Sequence, residues 1–171
     1  MSLIHTISNY LLANKTAPKT KKQFLNWLQI KSIVIIAYDN QLADVADFIN
    51  RCNQSTISVF VIVIYDGKPE NAPNLSFEYE LLSKKQFNWF YIPTEETLKK
   101  VNQKQYDTLI NLSSSDQLKA RALSKLISAT CKVGKYEDAI FDVSIVTDKN
   151  PNEFLEEVYT YLNMIKTTEK R

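Results

Sequence analysis

The residues best placed to do chemistry in this 171-residue chain are a polar run, Asn111 then Ser113-Ser114-Ser115-Asp116, and a polar pair, Asp39-Asn40. Each follows a strand-like apolar segment and precedes a helix-like one. Serines at a helix start can hold a phosphate or carboxylate, because the first backbone N–H groups of a helix are unpaired and point outward along its axis. The same residues also make caps and turns, and capping is the simpler account. Ser114 and Gln117 have capping-box spacing, and Asp116 in the first turn would repel an anion. On that account, changing Ser113, Ser114 and Ser115 together to Ala removes one cap, about 1 kcal/mol. Asp39 and Asp116 could converge as an acid–base or metal pair, but a hard cation wants several oxygen ligands and caps explain both acids. Lys135 and Tyr136, just after Gly134, complete the candidate set.

Composition excludes several other chemistries. Gly occurs only at Gly67 and Gly134, so the chain cannot form a glycine-rich phosphate loop, which needs several bare backbone positions close together. His5 is the one histidine, which leaves no imidazole metal set and a poor base for triad catalysis. Cys52 and Cys131 are too far apart for a C-x-x-C pair and are expected in the core. No cofactor and no metal are implied, and the site residues carry a ligand-binding expectation without a catalytic assignment.

These loops need a frame to position them. Ser32–Tyr38 (SIVIIAY) and Ile57–Tyr65 (ISVFVIVIY) are continuous apolar runs, the signature of strands buried on both faces of a parallel sheet. Between them lies an amphipathic stripe, Leu42, Val45, Ala46 and Ile49, opened by a cap at Asp39 or Asn40. Tyr106–Leu112, a helix over Leu118–Ile127 and a short strand Thr130–Val133 repeat the pattern. Asp66–Pro69 is a turn. Gln86–Ile92 (QFNWFYI) reads as a third strand or edge segment, and Thr94 caps a short helix after it. Ile140–Val146 reads as an edge or antiparallel strand. Asn150, Pro151 and Glu153 open a last helix. Such alternation predicts an α/β fold: a three-layer, doubly wound, Rossmann-like and mainly parallel sheet preceded by an N-terminal helix. Ligands of such sheets sit at the strand carboxyl ends, where the candidate residues fall.

The division expected is 1–22, an amphipathic helix with a basic linker, and 23–171, a single α/β domain. The helix carries Leu3, Ile4, Ile7, Tyr10 and Leu11 on one side, and Lys15, Lys19, Lys21 and Lys22 follow it. Packing on the domain or on a second copy, giving a homodimer, accounts for that apolar side better than an anionic membrane, since the helix's polar face is Ser and Asn. Trp89, Phe90 and Tyr91 among Lys84, Lys85, Lys99 and Lys100 suggest base stacking, but a net charge of +2 is low for a nucleic-acid binder. No apolar run reaches the roughly 20 residues of a transmembrane helix, and the start lacks the charged flank of a signal peptide, so a soluble, cytoplasmic protein is expected.

The stretch Tyr106–Gly134 (YDTLINLSSSDQLKARALSKLISATCKVG) resembles a bacterial family of uncharacterised small domains. In that family a Y/F-D-x-L-I-N strand leads to a helix, to K-V-G, to a D-hydrophobic strand and to a C-terminal helix. Here these are Tyr106-Asp107 with Asn111, Lys132-Val133-Gly134, Phe141-Asp142-Val143 and the helix from Pro151, with weaker likeness around the first strand and Phe87-Asn88-Trp89-Phe90. The resemblance implies no activity. The same stretch is similar, more distantly, to the N-terminal half of heptosyltransferase-like glycosyltransferases, with their D-L-V-I-D-L strand and R-R-I-G-like strand. This chain is about half such an enzyme's length, and it lacks their second, donor-holding domain; the similarity therefore implies the fold and argues against the activity.

The resulting expectation is a domain of unknown function, non-enzymatic, that binds a small ligand or a partner. The alternative is a small enzyme or degenerate glycosyltransferase-like domain taking a phosphorylated or sugar ligand at the strand carboxyl ends.

Overall fold

A computed structural model of the chain describes residues 3–68 and 73–166. The elements are α1 (Leu3–Ala13), β1 (Ser32–Tyr38), α2 (Leu42–Gln54), β2 (Ser58–Ile64), β3 (Tyr79–Leu82), α3 (Glu95–Val101), β4 (Tyr106–Asn111), α4 (Leu118–Leu126), β5 (Ala129–Gly134), β6 (Val143–Ser144) and α5 (Pro151–Met164). The strands form one sheet in the order β3-β2-β1-β4-β5-β6, and every pairing is parallel. This is the doubly wound order, with the reversal between β1 and β4.

The apolar runs explain the layers. Alternate residues of a strand face opposite sides, so a run without polar breaks needs helices over both faces. On one face Ile33, Ile35, Val61, Val63 and Ile110 pack against Val45, Phe48 and Ile49 of α2 and Phe154, Leu155 and Val158 of α5. On the other, Val34, Ile36, Ile62, Ile64 and Leu109 pack against Val101 of α3 and Ala120 and Leu123 of α4. Leu12 of α1 packs on Ala122 and Leu126, so α1 covers the outer side of α4. Fully burying a Val, Leu, Ile or Phe is worth about 1.5–3 kcal/mol, which makes these two layers the main source of stability. Cys52 and Cys131 are free and buried, as expected.

Three local expectations are corrected. The third strand is Tyr79–Leu82, while Gln86–Ile92 is irregular. There the Asn88 side chain accepts the Phe90 and Ile92 N–H groups at 2.9 and 3.1 Å, capturing donors that a strand would give to its neighbour. Tyr91 sits at φ 60°, outside the extended region, and Trp89 is 91% exposed. The edge strand at Ile140–Val146 shrinks to Val143–Ser144, and it runs parallel. Asp142 replaces the ladder beside it, its side chain accepting the Lys132 N–H at 3.0 Å while its N–H donates to the Lys132 carbonyl at 2.8 Å. Neither Asp39 nor Asn40 caps α2. Both lie in a 3-10 turn, Asp39–Gln41, and Gln41 precedes the helix without a side-chain cap. At the expected turn after β2 the chain bends at Gly67 under the Tyr65 ring, whose hydroxyl donates to the Lys68 carbonyl at 2.9 Å; Pro69 lies outside the described residues.

The basic segment 14–22 has no regular structure but is tied to the sheet. Thr20 donates to the Ala129 carbonyl at 3.0 Å, and Lys22 pairs with Asp142 at 2.5 Å.

Candidate functional site

The reversal between β1 and β4 puts two loops side by side at the carboxyl edge: Asp39–Gln41 after β1 and Leu112–Gln117 after β4. Gln41 stitches them. Its Oε1 accepts the Tyr38 N–H at 2.8 Å and its Nε2 donates to the Leu112 carbonyl at 3.0 Å. The crevice of a doubly wound sheet is thus bridged by a side chain, and open space lies on either side.

On the β5 side a cleft of about 430 Å³ is lined by Asn40, Gln41, Ser114, Ser115, Lys135, Tyr136, Thr147 and Asp148, so five of the expected residues come together. Two of these, Ser114 and Lys135, are engaged by neighbouring residues. Ser114 Oγ donates to Asp116 at 2.5 Å, the Ser114 N–H donates to Gln117 Oε1 at 3.0 Å, and the Lys135 ammonium donates to the Lys149 carbonyl. Only the Gln117 half of the expected capping box forms. The serines do not cap α4, whose N-cap residue is Gln117. The cost of changing all three to Ala is therefore below one full cap. Asp39 is exposed and lines neither cleft.

On the β2 side a cleft of about 470 Å³ is lined by His5, Tyr38, Asp66, Lys84, Tyr91, Asp116, Gln117, Leu118 and Lys119. Lys119 is only 8% exposed. Its ammonium lies 5.5 Å from the centroid of Phe87 and 5.8 Å from that of Tyr91, and it pairs with Asp66, whose side chain is 57% exposed. Burial, helped by the carboxylates of Asp66 and Asp116, pushes the Tyr38 phenol well above its usual range, so it stays a donor at neutral pH. Asn111 and Ser113 are fully buried; Asn111 Oδ1 accepts the Ser113 N–H at 2.8 Å, while Asn111 Nδ2 and Ser113 Oγ have no partner. Asn111 pairs in register with Ile36, two residues before Tyr38, so Asn111 and Tyr38 share one face of the sheet.

Sequence reasoning missed Tyr38, Gln41, Asp66, Tyr91 and Lys119. One signal was available. Lys119 stands four residues before Leu123, on the apolar stripe of its helix, and a charged residue there needs a partner or a purpose.

The shared motif acids do other work. Asp107 Oδ2 accepts the Lys31 and Ser32 N–H groups at 2.8 and 3.0 Å, while its own N–H donates to Ser32 Oγ at 3.0 Å, locking β1 to β4 at their amino ends. Gly134 makes room for a ring: a Cβ there would stand 2.3 Å from Phe141, whose ring is held edge-on to Tyr136 at 5.2 Å. Among the described residues no three His, Cys, Asp or Glu side chains gather as a metal set.

Neither a curated protein nor a solved structure matches the chain. A family model does match, over residues 4–165, which is nearly the whole sequence including both clefts and every motif element, and the chain therefore belongs to that family, a family of unknown function (DUF6913).

Proposed function

We propose that the chain is a non-enzymatic small-ligand-binding domain, bacterial and cytoplasmic, that holds a small polar molecule in the cleft over Tyr38, Tyr91 and Lys119. The observation that carries this is Lys119: a lysine with 8% exposure on the wall of an open cleft, beside two aromatic rings and one half-exposed carboxylate. Holding a charge there has a desolvation cost that core packing alone would avoid with a leucine. The volume, about 470 Å³, falls within the range of small-molecule sites, and the location is where doubly wound sheets bind ligands. In favour of a non-enzymatic role, the thiols of Cys52 and Cys131 are buried in the core and line neither cleft.

The test is a thermal-shift and NMR screen with AMP, UDP and glucose 6-phosphate. A binder should stabilise the protein by about 2.7 kcal/mol at a hundredfold excess over Kd and move the Tyr38 and Lys119 resonances. If all three leave those resonances in place, the reading fails. Turnover of a probe would favour the transferase-like alternative instead.

A second reading, self-association, has its own observation. Leu3, Ile4 and Tyr10 of α1 remain exposed after Ser8 and Leu12 have packed inward. In this reading segment 1–22 is an arm on domain 23–171 through which two copies pair. Sedimentation should show a dimer that Tyr10→Asp dissolves; a wild-type monomer at high concentration would remove the idea. No helix among the described residues is long and apolar enough to cross a membrane.

A further inference from the structure

Resting on that reading of the cleft, we infer that Asp66 stands in for the anionic group of the ligand, and that a small molecule bearing a phosphate or carboxylate binds by displacing Asp66 from Lys119. The pair is lopsided. Lys119 is buried on a helix between Phe87 and Tyr91, whereas Asp66 is more than half exposed and belongs to no strand or helix. A buried cation left unpaired is strongly unfavourable, while an exposed carboxylate released into water regains its hydration at once. An anion arriving from solution can therefore take the place of Asp66 with little opposition.

The surroundings favour an anion at that point. The nine-residue helix α4 begins here without a side-chain cap, and its first residues, Leu118 and Lys119, line the cleft. Its dipole adds positive potential to the ammonium. Tyr38 is held as a donor. Asn111 Nδ2, fully buried and without a partner, lies on the same sheet face as Tyr38, behind the cleft. The remaining carboxylate, Asp116, already accepts the Ser114 hydroxyl, and two lysines, Lys84 and Lys119, line the same cleft.

Inorganic phosphate and acetate are titrated in parallel into wild type, Asp66→Asn and Lys119→Gln, with fold checked by circular dichroism. Asp66→Asn should bind the preferred anion roughly two- to fivefold tighter, the value of an exposed competing pair, and Lys119→Gln should lose it. A larger response to phosphate assigns a phosphate ester as ligand, and one to acetate assigns a carboxylate. A second readout needs no variant: saturating wild type should move the Asp66 carboxyl ¹³C shift to that of a free, hydrated carboxylate. Weaker or unchanged binding by Asp66→Asn, or an Asp66 shift that does not move, overturns the displacement while leaving the cleft as a site. If no anion and none of the phosphorylated probes binds wild type or Asp66→Asn, the ligand reading itself falls.

Discussion

The two ends of the sheet contrast in how their polar groups are employed. At the amino end, Asp107 takes two backbone donors from the start of β1 and gives its own N–H to Ser32, while Lys104 pairs with Glu78 beside β3. At the carboxyl end, Asn111 Nδ2, Ser113 Oγ and the Tyr136 hydroxyl are buried without partners, and a nearly buried lysine leans on an exposed acid. Folding needs register, and register is set where side chains saturate backbone groups. Of the five buried side-chain groups without partners among the described residues, these three lie at the carboxyl end, against Thr108 within β4 and Ser8 on α1; unmatched groups do nothing for the fold, so the carboxyl end is the one with polar groups to spare for a ligand.

The largest effect expected along this contrast is at Asp107. Asp107→Ala strips acceptors from two backbone donors and should destabilise by roughly 2–3 kcal/mol in urea unfolding, since hydrogen bonds to charged groups are the stronger kind. Gly134→Ala drives a methyl into Phe141 and should cost about 1–3 kcal/mol, with part recovered in the double variant Gly134→Ala, Phe141→Leu. A loss at Gly134 that Phe141→Leu does not relieve would mean the glycine serves something other than that ring.

A smaller effect appears in alkali. Burial pushes Cys52, Cys131 and Tyr106 up to about 12. Their contribution to stability is whole below the unfolded values, near 9 for the thiols and 10 for the phenol, and is lost as pH climbs toward 12. Lys132 works in the opposite sense. Burial lowers it to about 8 from 10.5, although its ammonium donates to the Ser124 and Lys125 carbonyls at the end of α4. The unfolded chain then binds more protons between those values, so this group's contribution rises with pH over that window. Unfolding measured from pH 7 to 10.5 should therefore decline more steeply in Lys132→Met than in wild type. Equal slopes would show that Lys132 is not held below its ordinary value.

The smallest effect is the one that best sharpens the contrast. Ser113→Ala removes a buried hydroxyl with no partner and should be neutral within about 0.5 kcal/mol, or slightly stabilising. A loss of a full kilocalorie would place Ser113 among the groups that hold the fold.

The frame was legible because it depends on repeating local patterns. SIVIIAY and SVFVIVI are buried on both faces wherever they lie, and Asn150-Pro151 starts a helix with Asn150 accepting the Glu153 N–H at 2.9 Å. Thr94 was equally readable, since a cap acts within one turn. The third strand was not. Tyr79–Leu82 is a half-buried edge with weak alternation, and the more aromatic Gln86–Ile92 gave the stronger strand signal until Asn88 claimed its donors. The candidate site was half legible. Asn40, Ser114, Ser115, Lys135 and Tyr136 do meet in one cleft, but the more charged cleft gathers residues from the end of β1, from the loops after β2, β3 and β4, from the Phe87–Ile92 segment, from α1 and from the start of α4.

What the sequence determined by itself is the parallel α/β class, the carboxyl-edge location of the polar loops and the chemistries its composition excludes. Hydrophobic period, cap spacing and residue counts act locally and need no neighbours to be read. Only the tertiary structure decided that Gln41 closes the crevice at the strand reversal, that Asp66 meets Lys119 fifty-three residues away, and that the shared motif acids align strands instead of lining a site. Those outcomes depend on which loops the strand order brings together, and the reach of a side chain across that junction is not written in the spacing of any one segment.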